Sequence, residues 1–282
     1  MITFDKIEVE INGTGFIADS ATLSSNNELQ EQYTLGKKGI LDQALVGGLT
    51  NSLSLSYYID LNEDPISVIT RKLKNLTQDG TYSPPSLVFG DISGHYYLTS
   101  HSIQSVPNSP VKASASFINY DGVSGDLASK NYSTLDEDQE VAHSWGVKVQ
   151  SVDGYRATPT YTLDYSFNAD WLPTYKIGKT NPIQTNLIKG KETLDLVRDE
   201  YTFIQFSGQP TLGSLLENSP NQIDIISLDV LCDGGDLDNI GDSTPTSSYL
   251  NLDFSGAVVS NSELFAGVDD IVRIKTTSNK YF

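Results

Sequence analysis

The chain has 282 residues, of which 38% are hydrophobic and 10% aromatic, so a disordered protein is excluded and one large core or two ordinary ones can form. Its 36 acidic and 18 basic residues give a formal net charge of −18, which disfavours proteins that bind DNA, RNA or an anionic membrane surface. Cys232 is the single cysteine, which excludes an internal disulfide and a cysteine-based zinc cage.

The N-terminal sequence and the hydropathy pattern carry no targeting signal. Residues 1–10 lack the basic and apolar regions of a signal peptide. No apolar run approaches the ~20 residues that a membrane-spanning helix needs. We therefore expect synthesis in a reducing cytosol and no membrane partner.

Two-residue alternation of apolar and polar side chains dominates the first half, as is typical of half-buried strands. It predicts strands over residues 7–11, 53–59 and 111–117. Between the first strand and the next, Asn12-Gly13 has the composition of a tight type I′ hairpin turn. The first half is therefore expected to be mainly antiparallel β-sheet.

One helix is predicted in the first half, over about residues 64–76. Asp64 and Pro65 supply an N-cap and a proline at the first helical position. Basic residues fall toward its C-terminal end, where the helix dipole favours them. The apolar residues that follow the cap at helical spacing are Ile66, Ile69, Leu73 and Leu76.

The second half repeats this kind of pattern. Alternation predicts strands over residues 147–152, 223–231 and 250–254. Asp153-Gly154 is a second candidate hairpin turn, and residues 211–218 could form a shorter helix. Each half therefore reads as strands, one helix and further strands.

A repeated phrase relates the two halves. Residues 24–37 read SSNNELQEQYTLGK and residues 166–179 read SFNADWLPTYKIGK. At a constant offset of 142 the identical pairs are Ser24 and Ser166, Asn26 and Asn168, Tyr33 and Tyr175, Gly36 and Gly178, and Lys37 and Lys179. The repeat predicts duplication of a β-rich unit of about 130–140 residues.

The predicted fold is therefore mainly β, with two tandem domains that each carry one flanking helix. The first domain is expected over residues 1–128 and the second over residues 141–282. Residues 129–140 are polar, acidic and poor in apolar side chains, as is typical of a linker.

No pattern in the sequence indicates an enzyme or a cofactor. His95 and His101 flank a strand-like segment and are expected on one face of a strand, in structural or solvated roles. The motifs of serine hydrolases, zinc proteases and phosphate-binding loops are absent from the sequence. Carboxylate pairs of the kind that glycosidases use cannot be singled out.

One acidic segment is a weak candidate for a cation site. Residues 233–242 place Asp236, Asp238 and Asp242 close together, and their oxygens are of the kind that calcium prefers. The segment fails the EF-hand template because Ile240 stands at the fifth position. An acidic loop without metal is the favoured interpretation.

Two segments that follow the repeated phrase are expected to be long loops, over residues 39–51 and 180–191. Loops of this length within compact domains are usually functional, and apolar side chains exposed on them indicate a docking surface. The candidate contact residues are Ile40, Leu41, Leu45, Val46, Leu49, Ile183, Leu187 and Ile188.

The order ING…SATLS…YTLGK…LSLSYYI…helix…YYLTSHSI…VKASASF resembles a tail tube (major tail) protein of tailed bacteriophages. The second copy, DGY…DYSFNADWLPTYKIGK…GKETLDLVRDE, resembles the same domain again. The resemblance implies a β-barrel or sandwich with a flanking helix, and rings whose sheets line a channel and whose long loop reaches the neighbouring ring. Most members have one domain and form hexamers, so two domains imply a trimer with pseudo-sixfold symmetry.

The resemblance also implies partners and a place. The chain would bind itself, a tape measure protein and other tail proteins, with DNA only as transiting cargo, in a virion tail assembled in the host cytoplasm. A wall of carboxylates would then repel the duplex, and Glu8, Glu10 and Asp195 are the candidates. The alternative is that the acidity only keeps the protein soluble.

Two other functions fit the sequence. A baseplate or tail-completion ring would share the domain and close the tube. A carbohydrate-binding β-sandwich could use Trp145, Trp171 and the 15 tyrosines as stacking platforms. Tyrosine-rich strands are also ordinary in β cores, so the tube interpretation is favoured.

Overall fold

In a computed structural model the chain is mainly β, as predicted. The helix α1 is the one helix among the described residues. The structure describes residues 7–26, 29–32, 42–45, 48–60, 64–76, 82–125, 141–144, 147–151, 154–155, 160–177, 179, 181–199, 222–226, 248–265 and 273–282.

The described part of the first half contains ten strands and the helix. They are β1 (Ile7–Ile11), β2 (Thr14–Ala18), β3 (Ser20–Asn26), β4 (Leu29–Gln32), β5 (Asp42–Leu45), β6 (Thr50–Tyr58), α1 (Pro65–Lys74), β7 (Ser86–Phe89), β8 (Ile92–His95), β9 (Tyr97–Ser105) and β10 (Lys112–Asn119).

The second half contributes eight described strands. They are β11 (Val147–Ser151), β12 (Gly154–Tyr155), β13 (Thr160–Thr174), β14 (Gln184–Asp199), β15 (Gln222–Ile226), β16 (Ser248–Asp253), β17 (Val258–Phe265) and β18 (Arg273–Tyr281).

These strands form one large sheet and three smaller ones, all antiparallel. The eight-stranded sheet has the order β17-β18-β14-β13-β9-β10-β6-β3 and therefore runs through both halves of the chain. Each half adds a four-stranded sheet, β2-β1-β7-β8 in the first and β12-β11-β15-β16 in the second. Strands β4 and β5 form a separate pair.

The two halves have the same strand order. In the first half β3-β6-β10-β9 form four neighbours of the large sheet, and in the second half β13-β14-β18-β17 do the same, in matching chain order. The four-stranded sheets correspond likewise, β2-β1-β7-β8 with β12-β11-β15-β16.

The core lies between the eight-stranded sheet and the layer formed by the two four-stranded sheets and α1. In the first half Phe16 of β2 packs on Tyr57 of β6, with ring centroids 5.1 Å apart. In the second half Phe254, next to β16, packs edge-on against Tyr165 of β13 at 5.7 Å. Each four-stranded sheet thus covers its own half of the large sheet.

The predicted helix and the first hairpin are confirmed. Helix α1 has Asp64 as its N-cap, whose carboxylate accepts from the backbone N–H groups of Ile66 and Ser67. The β1–β2 turn uses Asn12 and Gly13 at φ values of 52° and 84°. A type I′ turn requires both residues in this region, which asparagine and glycine tolerate best.

The two predicted long loops are partly wrong, because much of each segment is strand. Within residues 39–51 the structure has β5 and the start of β6, and within residues 180–191 it has the start of β14. These residues lengthen hairpins that begin in the sheet, so their backbone groups are paired. Asp153 and residues 211–218 lie outside the described residues.

The expectation that His95 and His101 share one face of a strand is also wrong. His95 is exposed at the end of β8, while His101 is buried in β9. Tyr96 lies between the two strands and is itself buried. Tyr96 and Leu98 keep the two-residue period of burial, but Thr99 is an extra residue in β9 opposite β10, and it shifts the period so that His101 is buried.

The halves meet in more than one place. The proposed linker, 129–140, lies outside the described residues, but residues 141–144 pack on the first half. The N–H of Ala142 donates to the carbonyl of Ile59, and the N–H of Val111 donates to that of Ala142, at 2.7 and 2.8 Å. The chain therefore crosses the first half before it enters β11.

Candidate assembly surfaces

The two halves join through strands β9 and β13. These strands pair antiparallel from Leu163 opposite Ser105 to Asn168 opposite Ser100. A side-chain bond reinforces the pairing on the solvent face, where Gln104 Nε2 donates to Asp164 Oδ1 at 2.9 Å. This joint makes one sheet from two four-stranded units.

The hairpins that carry the repeated phrase have the same register. In the first half Leu29 pairs with Leu45, and in the second half Trp171 pairs with Leu187. All four rungs from Leu29–Gln32 correspond to rungs of the β13–β14 hairpin at the offset of 142. Tyr33 lies outside the described residues, but β4 and β13 both end immediately before the tyrosine of the repeat.

A second correspondence is a β-bulge. Thr99 is the extra residue of β9 opposite β10, and Ser260 is the extra residue of β17 opposite β18. Each hydroxyl donates to a carbonyl of the neighbouring strand, Thr99 to Ser116 at 2.9 Å and Ser260 to Thr277 at 3.2 Å. Bulges are specific features of a fold, so this match identifies β17 as the counterpart of β9.

The eight-stranded sheet ends in two strands that match the joint. Its terminal strands among the described residues are β3 and β17. By the correspondences above, β3 is the counterpart of β13 and β17 the counterpart of β9. The sheet therefore presents at its two edges the same pair of strands that it joins in its middle, and edge strands are templates for pairing with another chain.

The hairpin of β13 and β14 carries exposed apolar side chains near its tip. Its turn contacts the first half, where Asn181 Nδ2 donates to the carbonyl of Asp121 at 3.3 Å. Ile177 is fully exposed. The other exposed apolar residues of the hairpin are Leu172, Tyr175, Ile183 and Ile188. A cluster of exposed apolar residues on one hairpin makes it a candidate docking surface.

The structure divides the predicted contact residues. Ile183 and Ile188 are half or more exposed on the β13–β14 hairpin, whereas Leu187 packs partly against the core. Leu49 is half-buried before β6. Leu45 lies in β5, with its side chain outside the description, and Ile40, Leu41 and Val46 lie outside the described residues altogether.

In the first half, most side chains on the solvent face of the large sheet carry hydroxyl groups. Cross-strand serine pairs run along it: Ser24 and Ser52 at 2.7 Å, and Ser102 and Ser114 at 2.7 Å. Within β3, β6, β9 and β10, Lys112 is the one charged side chain on this face. The hydroxyl residues of the face are Ser20, Thr22, Ser24, Thr50, Ser52, Ser54, Ser56, Tyr58, Ser100, Ser102, Ser114 and Ser116.

In the second half the same face carries charges of both signs. Lys275 Nζ lies 4.0 Å from Asp195 Oδ2 across β18 and β14. Among the described side chains of this part, acidic and basic residues are equal in number. They are Asp164, Asp170, Asp195 and Glu263 against Lys189, Lys191, Arg273 and Lys275.

The candidate wall carboxylates do not lie together. Glu8 and Glu10 belong to β1 in a four-stranded sheet, and Asp195 belongs to β14 on the solvent face of the large sheet. The alternation with buried Val9 and Ile11 turns both glutamates away from the core. One surface can therefore contain Asp195 or the two glutamates, but not all three.

A buried polar network lies under the joint, where α1 meets both halves. The Tyr57 hydroxyl donates to Asp64 Oδ1 at 2.9 Å and lies 3.2 Å from Nε2 of His101. On the second half, Glu192 Oε1 accepts from Lys74 Nζ at 3.0 Å and from the Tyr165 hydroxyl at 2.8 Å. The network ties helix α1 to strands on both sides of the joint.

Burial shifts the pKa values of three members of this network, His101, Tyr57 and Tyr165. It lowers the pKa of His101, an effect that the nearby Asp64 carboxylate partly offsets. It raises the pKa of Tyr57 and Tyr165, and the carboxylates of Asp64 and Glu192 raise these pKa values further. Because the Tyr57 proton goes to Asp64, Nε2 of neutral His101 must carry its hydrogen, an assignment made from the network.

Stability should therefore fall as the pH is lowered below about 6.5, the unfolded-state pKa of histidine. The folded pKa of His101 is depressed, so the unfolded chain binds the extra proton, and the loss approaches about 1.4 kcal/mol per pH unit. Urea unfolding at pH 5, 6, 7 and 8 measures it, with His101→Gln as the control. Equal pH dependence of the two proteins would refute a role for His101.

Trp171 packs against aromatic side chains of the first half. Its indole N–H donates to the carbonyl of Leu98 at 2.7 Å, and its ring packs on Tyr82 and Tyr97 at centroid distances of 5.1 and 4.9 Å. This arrangement holds β13 on β9 and leaves the indole no free polar edge for a sugar. Trp145, the other tryptophan, lies outside the described residues.

Two further sequence expectations concern a metal site and membrane-spanning helices. Asp236, Asp238 and Asp242 lie outside the described residues. The described part contains no group of three or more histidine, cysteine or carboxylate side chains that could hold a metal ion. Among the same residues no helix is long and apolar enough to cross a membrane.

No family model matches the chain, and no curated protein matches it significantly. The geometry of the molecule and the resemblance in its sequence therefore carry the evidence for its function.

Proposed function

We propose that this protein is a structural component of a phage tail tube, in which three copies form a ring and rings stack into a channel for DNA. The observation that supports the proposal most directly is the match between the β9–β13 joint and the two free edges, β3 and β17. Pairing β17 of one copy with β3 of the next repeats, between chains, a contact already made within the chain.

The same correspondences support duplication of one unit. Strand order, hairpin register and the bulge at Thr99 and Ser260 all match between the halves. Two units in one chain and a heterologous edge contact generate a ring with pseudo-sixfold symmetry if three chains close it. The outer surface would then carry six similar but not identical faces.

Such a ring has the dimensions of a DNA channel. Three eight-stranded sheets would place 24 strands in one closed ring. At a strand spacing of about 4.8 Å and a tilt of 35–45°, the backbone radius is roughly 22–26 Å. Side chains about 5 Å long leave room for a double helix.

The same dimensions decide which face of the sheet lies inside. The four-stranded sheets pack on one face at a spacing of about 10 Å. Placed inside, they would reduce the open radius to roughly 7–11 Å, too tight for a hydrated duplex. In this proposal the solvent face of the large sheet therefore lines the channel, with α1 and the smaller sheets outside.

The hairpin of β13 and β14 is the proposed contact between rings. Its apolar tip needs a partner, and another copy of the chain supplies one in a stack. Ile183 and Ile188, predicted as contacts from the sequence, lie on it with exposures of 50% and 62%. The tape measure protein and other tail proteins are further proposed partners, with the virion tail as the location.

Negative-stain microscopy of the concentrated protein tests the proposal. Long hollow tubes, with a threefold or pseudo-sixfold end view, are the expected result. Isolated rings would favour the tail-completion role instead, and monomers that bind an oligosaccharide column would favour the carbohydrate-binding function. Persistent monomers without either property would refute ring formation.

The register of the intersubunit joint gives a sharper test. Ser166 lies opposite Ser102 within the chain, and their counterparts at the free edges are Ser24 and Glu263. Ser24→Glu would oppose two carboxylates at each joint and weaken it by about 0.2–1 kcal/mol. The critical concentration for assembly, measured by sedimentation, should rise several-fold and recover in Ser24→Glu/Glu263→Lys.

The control for this test is Ser54→Glu, which adds the same charge to the same face on an interior strand. It should leave the critical concentration close to that of the wild type. If Glu263→Lys fails to restore Ser24→Glu while both variants stay folded, the proposed register is wrong.

A further inference from the structure

We propose that the channel wall passes DNA because its described part carries no net charge and six of its serines bond to one another in pairs, and not by repelling the duplex with carboxylates. This inference rests on the proposed function. It concerns the solvent face of the large sheet, for which the overall charge of −18 is a poor guide.

The first observation is the charge balance of the face. In the first half Lys112 is the one charged side chain on β3, β6, β9 and β10, and Asp19 lies 3.3 Å from its Nζ. In the second half the described charges are four of each sign, and Lys275 faces Asp195. The described part of this face therefore contributes nothing to the net negative charge of the chain.

The second observation is that the hydroxyls bond to one another. Ser24 with Ser52, Ser102 with Ser114 and Ser54 with Ser116 form cross-strand pairs at 2.7, 2.7 and 3.2 Å. Each pair uses one of its two hydroxyl hydrogens, so a pair has less capacity to donate to a phosphate than two free hydroxyls. The serines are also short, so few long side chains project from this face in the first half, Tyr58, Gln104 and Lys112 among them.

These properties predict a specific salt dependence. A cationic wall binds DNA through counterion release, so retention falls as salt rises. An acidic wall repels DNA, so entry rises as salt screens the repulsion. A neutral wall gives neither trend. The sign of the salt slope therefore reports the charge of the wall.

The experiment uses assembled tubes and a short duplex, with nuclease-protected DNA as the readout for the lumen. Wild-type tubes should take up the duplex with no dependence on salt. Ser54→Lys/Ser102→Lys adds two cations per chain to the wall and should retain protected DNA. For two phosphate contacts, the affinity for this DNA should fall about tenfold between 50 and 200 mM salt. Ser54→Asp/Ser102→Asp should show uptake that rises with salt.

The matched control is Thr14→Lys/Ser83→Lys, which adds the same charge at exposed positions away from the large sheet. DNA bound to this variant should be digested by the nuclease. If wild-type uptake rises with salt as in the aspartate variant, the wall is acidic and the inference fails although tubes form. If Ser54→Lys/Ser102→Lys retains no protected DNA, this face is not the wall. If wild-type chains form no tubes, the proposed function itself fails.

Discussion

Lys74→Met is expected to destabilise the folded subunit by about 3–5 kcal/mol, the cost of leaving a buried charge without its partner. Glu192 is fully buried and would keep only the Tyr165 hydroxyl as a partner on Oε1. Its other oxygen, Oε2, has no hydrogen-bond partner. Urea unfolding of the unassembled chain would measure the loss as a lower midpoint at an unchanged slope.

Glu192→Leu should cost less than Lys74→Met. Lys74 is 12% exposed and also donates to the carbonyl of Asp253 at 3.2 Å, so its ammonium keeps a partner and a path to water. The double variant Lys74→Met/Glu192→Leu removes both charges and should lose much less than the sum of the single variants. If the losses in the free energy of unfolding were strictly additive in the double variant, Lys74 and Glu192 would not be a coupled pair.

A surface pair provides the control for these measurements. Lys112 and Asp19 are 3.3 Å apart, with side chains 47% and 48% exposed. Lys112→Met should change the free energy of unfolding by less than about 1 kcal/mol, because water screens exposed pairs. A loss as large as that of Lys74→Met would show that burial is not the deciding factor.

The variant Ile177→Asp/Ile183→Asp is expected to abolish stacking of rings while leaving the subunit folded. Both side chains are at least half exposed on the hairpin, so the carboxylates cost the free subunit little. Between rings they would be buried without partners, at a cost of several kcal/mol per contact. Microscopy should show rings or trimers where the wild type forms tubes.

The conservative pair Ile177→Val/Ile183→Val keeps the apolar surface and should still form tubes. Circular dichroism and the unfolding midpoint confirm that both variants are folded. Normal tubes from the aspartate variant would place the stacking contact elsewhere, and the ring proposal would then depend on the strand edges alone.

Local patterns in the sequence determined the elements of the fold. Alternation over Ile7–Ile11 marks β1, since a half-buried strand must place every second side chain in the core. Asp64 and Pro65 define the start of α1, because a cap and a fixed proline φ satisfy the first turn of a helix. The offset of 142 also fixed which hairpins correspond.

Pairing between distant segments was decided only by the tertiary structure. Nothing local in β9 or β13 indicates that these strands join, because strand neighbours are selected by packing and not by periodicity. The burial of His101 beside Tyr57 and Asp64 depends on the same packing. For that reason the alternation could identify Glu8 and Glu10 as solvent-facing, but not on which sheet they lie.

The sequence alone thus determined a mainly β chain with a repeated hairpin phrase, an acidic composition and one capped helix. Only the tertiary structure decided that both halves share one eight-stranded sheet and that its solvent face carries serines. The physical reason is that the period of a strand fixes which side chains share a face, while the identity of that face depends on contacts between residues far apart in the chain.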